Sequence, residues 1–135
     1  MKILITGARS PYTLELARLF HRAGYEVHVA DSNFQRITLL SFSFWYKKYH
    51  VMKSMPNRKP FEQFCNELIA LCIREKIDLL VPTCEETFWV SRHKENIEKT
   101  VKQVNPNFEV FTESLDTLTV LHNKWLFNQH VTTPT

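Results

Sequence analysis

Two glycines, Gly7 and Gly24, are all that the 135 residues contain. The scarcity bears on the most tempting motif in the chain. Thr6-Gly7 closes a short apolar run, Ile3-Leu4-Ile5, and Asp31 ends a second run 24 positions after Gly7. A dinucleotide-binding turn has this outline, with the acid reaching a ribose hydroxyl. Its chemistry also needs a second glycine, for backbone approach to the pyrophosphate, and a third for close helix packing. Arg9 and Tyr12 hold those positions, and in the looser pattern of short-chain dehydrogenases Pro11 and Thr13 do. The glycine pattern speaks against NAD(P) binding.

Cysteine is also scarce. Cys65 and Cys72 fall seven residues apart in one predicted helix, about 10.5 Å along its axis, too far for a disulfide, and Cys84 completes an odd count. That usage fits a reducing compartment, and the expected location is the cytoplasm. The apolar start is too short for a signal peptide, and no run approaches the roughly 20 residues of a membrane span. No acid lies between Asp31 and Glu62, whereas Arg36, Lys47, Lys48, Lys53, Arg58 and Lys59 are interleaved there with Phe34, Phe42, Phe44, Trp45, Tyr46 and Tyr49. Such a mixture suits single strands of nucleic acid or a membrane surface. A net charge of +3 is too mild to support either, so the stretch reads as a connector whose aromatics anchor it to the core or to a partner domain, with its lysines in solvent. No nucleic-acid or membrane partner is expected. His93 has no second ligand at metal spacing, Cys84 has no motif histidine, and no Ser-His-Asp spacing occurs. No catalytic residue and no metal ligand is assigned.

What is present alternates between strand and helix. Ile3–Ile5 is a strand, and Ser10-Pro11 starts a helix with serine as cap and proline in the first turn. Leu16, Leu19, Phe20 and Ala23 mark one helical face, and Gly24 ends it. Val27–Ala30 is a second strand and completes a βαβ unit. His50–Met52 is a short strand candidate. Phe61, Phe64, Cys65, Leu68 and Cys72 repeat at helical spacing. Asp78–Pro82 is a buried strand with a proline stop. A single helix is expected from Glu86 to Val104, with Val90, His93, Ile97, Val101 and Val104 on one side. Phe108–Phe111 is a fifth strand. Ser114 caps a last helix carrying Leu118, Leu121 and Trp125. The fold class is α/β, a three-layer Rossmann-like sandwich with a mainly parallel sheet of four to five strands in order 3-2-1-4-5.

Ligands of such sheets bind beyond the carboxyl ends of the strands. The residues expected there are Arg9 and Ser10 after the first strand, Asp31 after the second, and Glu85 and Glu86 after the fourth. One base and three acids around a cleft suit a polar substrate bearing both charges, so these five are the candidate substrate-binding residues. Glu85 and Glu86 also open a helix, where the macrodipole favours carboxylates.

Four stretches together resemble the N-terminal, pre-ATP-grasp domain of ATP-grasp ligases, especially the carbamoyl-phosphate-synthetase-like group. They are Ile3–Pro11 (ILITGARSP), Gly24–Ser32 (GYEVHVADS), Lys76–Glu86 (KIDLLVPTCEE) and His122–Phe127 (HNKWLF). The resemblance implies an ATP-dependent carboxylate ligase, in which the carboxylate is activated as an acyl phosphate and an amine or similar nucleophile displaces phosphate. It implies a domain over 1–113, then over 114–135 a linker helix and the start of an ATP-grasp domain that would follow in cis. ATP and Mg²⁺ would belong to the full-length protein, with none expected on this stretch alone, which would be inactive. Lys124 matches the place where members put a basic residue near ATP, and the substrate would be a small carboxylate or amino-acid-like molecule. Two other readings stay open: a stand-alone binding or regulatory module on a degenerate Rossmann fold, and an NAD(P)-dependent oxidoreductase fragment.

Overall fold

A computed structural model describes residues 1–32, 45–53 and 61–132. Its frame is a five-stranded, all-parallel sheet built from β1 (Lys2–Thr6), β2 (Glu26–Asp31), β3 (Lys48–Val51), β4 (Leu79–Val81) and β5 (Glu109–Val110). The strand order is β3-β2-β1-β4-β5. β1 is central, with Ile3 opposite Val27 on one side and Leu79 on the other. Helices cover both faces, so β1 can be a continuous apolar run, and Ile3, Leu4 and Ile5 are wholly buried. Burying each such side chain contributes about 1.5–3 kcal/mol.

The period of two sorts the sheet residues between the faces. Ile3, Ile5, Val27, Val29 and Val81 pack toward α1 (Pro11–Arg22). Leu4, Ala30, Met52, Leu80 and Val110 join Phe64, Leu68 and Cys72 of α2 (Phe61–Arg74) and Ile97 and Val101 of α4 (Lys94–Lys102). Ser10 caps α1 by accepting from the Tyr12 amide at 3.2 Å. Gly24, at φ +89°, closes it while the Gly24 and Tyr25 amides donate back to the His21 and Phe20 carbonyls. The architecture is the Rossmann-like α/β sandwich.

Three details differ from the sequence reading. α1 buries Thr13 and Ala17, with Leu14, Leu16 and Phe20 flanking them, whereas Leu19 and Ala23 face solvent. A tight helix–sheet approach takes small residues, which an apolar count passes over. The expected helix from 86 to 104 is two, α3 (Glu86–Arg92) and α4, broken at His93, whose amide is shared between the Trp89 and Val90 carbonyls. Val90, Ile97 and Val101 stay in phase across the break, and Val104 is exposed. The last helix is also two, α5 (Leu115–His122) and α6 (Lys124–Thr132), and Leu121 and Trp125 are exposed rather than packed. Ser114 caps α5 as expected, accepting from the Thr117 amide at 3.1 Å. Among the described residues no helix is long and apolar enough to cross a membrane.

Candidate functional site

The sheet changes its direction of winding between β1 and β4, and the crevice outside their carboxyl ends is where doubly wound folds hold ligands. Here the two strand exits are stitched together. Gly7 turns at φ +72°, and a Cβ there would lie 2.3 Å from Thr83 Oγ1. The Thr83 hydroxyl donates to the Thr6 carbonyl at 2.6 Å. The Thr13 hydroxyl lies 2.9 Å from it and 2.7 Å from the Gly7 carbonyl. Only glycine lets the first turn come this close to the second.

Arg9 bridges the same crevice above that seam. Its Nη1 and Nη2 donate to the two carboxylate oxygens of Glu86 at 2.7 and 3.0 Å, and Nη1 also reaches Asp31 at 3.1 and 3.2 Å. The Asp31 side chain is fully buried and that of Glu86 nearly so, while Arg9 keeps 35% of its side chain exposed. The hydrogen bonding to Glu86 is the largest influence holding the guanidinium in its charged form, with its pKa raised above the ordinary arginine value. Asp31 also accepts from the backbone amides of Arg9 at 2.8 Å and Ser32 at 2.7 Å. One cation between two anions leaves the cluster with a formal charge of −1.

The amides at the start of α1 are all engaged. Ala8 donates to Ala30, Arg9 to Asp31, Ser10 to Gly7, Tyr12 to the Ser10 hydroxyl and Thr13 to the Ser10 carbonyl. Pro11 has no N–H. A phosphate at this turn would have to displace an internal partner for every bond it made, so the β1–α1 turn does not fit a dinucleotide or a triphosphate. The Tyr12 side chain does not take part in closing it, since the residue is 79% exposed.

Arg9, Asp31 and Glu86 thus meet, as do the elements carrying Ser10 and Glu85. Ser10 is buried as a cap, and Glu85 is exposed at the start of α3. The two adjacent glutamates point opposite ways, Glu86 inward to Arg9 and Glu85 to solvent. Lys124 opens α6, and the reading of its side chain lies outside the described residues. Spacing gave no sign that Thr6, Thr13 and Thr83 act together, because their partnership exists only across the sheet. Cys84, exposed and at φ +56°, is a non-glycine residue held in the left-handed region at this edge.

Part of the basic–aromatic stretch is anchored. Trp45 meets His21 edge-on at 5.4 Å and lies under Arg22, and Tyr46 and Tyr49 join the α1-side core. Lys47 pairs with Glu26 and Lys48 with Glu75. Phe34, Arg36, Phe42, Phe44, Arg58 and Lys59 lie outside the described residues.

No family model and no curated protein matches the chain. Solved structures do match it. Pyruvate carboxylase from Rhizobium etli, solved with the allosteric activator acetyl coenzyme A, superposes at a TM-score of 0.64 with 16% identity, over 97% of this chain and 13% of that one. The complete multifunctional pyruvate carboxylase of the same organism gives 0.59 with 17% identity, over 95% and 12%. At this identity the likeness shows a shared fold. The chain spans about an eighth of the length of these proteins.

Proposed function

We propose that this chain is the substrate-side, N-terminal domain of an ATP-dependent carboxylate ligase. The observation that carries the reading is the meeting of Arg9, Asp31 and Glu86, with Glu85 beside them, at the carboxyl edge of the switch point. The fold shared with pyruvate carboxylase, an ATP-grasp enzyme in its biotin carboxylase region, agrees with it. The domain would span 1–113, with 114–135 leading into an ATP-grasp domain in cis. In that protein the substrate carboxylate would be activated as an acyl phosphate using ATP, and an amine would then displace phosphate. Because the β1–α1 turn does not fit a triphosphate, ATP and its Mg²⁺ would be held outside that turn, and by resemblance Lys124 would be the basic residue near ATP.

This chain's own part is to orient the substrate. The net negative edge suits an ammonium group, received by the exposed Glu85. Arg9 spends Nη1 and one hydrogen of Nη2 on its partners, and among the described residues its Nε–H and second Nη2 hydrogen remain for a carboxylate. An amino-acid-like substrate satisfies both ends. The internally closed turn also favours a second reading, a binding module with no chemistry of its own. Sequencing the reading frame past Thr135 and assaying its product for carboxylate-dependent phosphate release separates them. A downstream ATP-grasp domain with such release supports the ligase, and a stop codon there supports the module.

A further inference from the structure

On the opposite side of the sheet from α1 lies a second polar cluster that the carboxyl-edge site does not use. His28 sits on β2 between two strands, flanked by Val27 and Val29, and is only 1% exposed. An apolar residue would be the ordinary occupant. Instead its ring lies edge to edge with that of His50 from β3, with the planes 9° apart and the ring centroids 5.3 Å apart. His28 Nδ1 and His50 Nε2 are hydrogen-bonded at 3.1 Å, a bond that an ion between them would replace, and His28 Nε2 lies 2.8 Å from Glu26 Oε1. Glu75, just past α2, completes the group: one nitrogen from each histidine and a Glu75 carboxylate oxygen all lie within 4.8 Å of one another.

We propose that His28, His50 and Glu75 form a binding site for a divalent transition-metal ion of the zinc class. Two imidazole nitrogens bound at about 2.0–2.1 Å around a tetrahedral ion stand about 3.3 Å apart, close to the separation found. Glu26 supplies the outer support such sites use. A carboxylate only accepts, so it fixes the proton of His28 on Nε2 and leaves the Nδ1 lone pair turned toward His50. Two imidazoles and a carboxylate suit zinc better than magnesium or calcium, which take all-oxygen sets. The fourth position would be solvent. Lys48 competes, since its ammonium holds Glu75 at 2.9 Å, and Arg74 also pairs with that carboxylate. The proposal is independent of the ligase reading.

The test is calorimetric titration of Zn²⁺ into the full chain carrying Cys84→Ser, which removes the exposed thiol as a ligand, with Co²⁺ absorption reporting coordination. Saturable one-to-one binding is expected. His50→Gln and Glu75→Gln, both outside the fully buried core, should each weaken it at least ten-fold, and Glu26→Gln by about 10–100-fold. Lys48→Gln should tighten it by freeing Glu75. Melting curves without metal establish that each variant is folded. Absence of saturable binding, or wild-type affinity in folded His50→Gln, would overturn the site; weaker binding in Lys48→Gln would overturn Glu75 as a ligand.

Discussion

Arg9 grips both carboxylate oxygens of Glu86, at 2.7 and 3.0 Å, across the line where β1 and β4 leave the sheet. The pair ties together turns 77 residues apart. Replacing Glu86 with glutamine leaves a half-buried guanidinium with Asp31 as its remaining anion. Losing one partner of a fully buried pair costs about 3–5 kcal/mol, and the partial exposure of Arg9 and its bond to Asp31 reduce that to about 1–3 kcal/mol. Glu85 is exposed and contributes little to stability. Thermal melts should show a clear drop in Tm for Glu86→Gln and almost none for Glu85→Gln.

Gly7→Ala should be more damaging than a loop substitution usually is. The new methyl meets Thr83 Oγ1 at 2.3 Å, and the backbone stays at φ +72°. Left-handed strain alone costs about 1–2 kcal/mol, and the clash adds to it. Thr83→Ala removes the clashing oxygen, so the double variant should be more stable than the sum of the single losses requires. Additive losses in denaturant melts would refute the contact.

NADH should give no saturable change in fluorescence when titrated with the chain. The Arg9 amide that would face a pyrophosphate is bonded to Asp31, and Asp31, the ribose acid of a dinucleotide site, is turned to Arg9 and Ser32. Micromolar binding would mean that this turn opens.

Asp78 pins the opposite edge of the sheet. Burial pushes its carboxyl pKa up, but the Lys2 amide at 2.7 Å and the Asn105 side chain at 2.9 Å outweigh it, and the pKa is lowered below its ordinary 3.8. The folded form thus holds its proton less tightly than the unfolded chain. Its contribution is present above the ordinary value and is lost as pH falls through the lowered one. Asp78→Asn should be less stable by about 1.5–3 kcal/mol at pH 7, with the gap closing as pH falls below the ordinary carboxyl range. Urea melts across that range check the sign.

The local signals in the sequence were easy to interpret because their physics is local. Ser10-Pro11 starts a helix and Gly24 ends one whatever surrounds them, and Leu79–Val81 has few uses other than a buried strand. The break at His93 left no trace, since Val90, Ile97 and Val101 keep the helical period through it. The site was legible only as a set of strand ends. That Glu86 turns inward while its identical neighbour Glu85 turns out depends on Arg9, which no spacing connects to either. His28 and His50 meet because β2 pairs with β3, a contact absent from any linear pattern.

Glu85→Gln in the full-length protein asks whether this edge orients a substrate for an ATP-dependent ligation. Because Glu85 is exposed and supports little of the fold, its loss separates binding from stability. The measurement is kcat/KM for phosphate release with an amino-acid-like carboxylate, taken beside the melting temperature. At least a ten-fold fall in kcat/KM with Tm unchanged is expected if the edge has this role. Full activity in a folded Glu85→Gln protein, or no carboxylate-dependent release from the wild type, would contradict it.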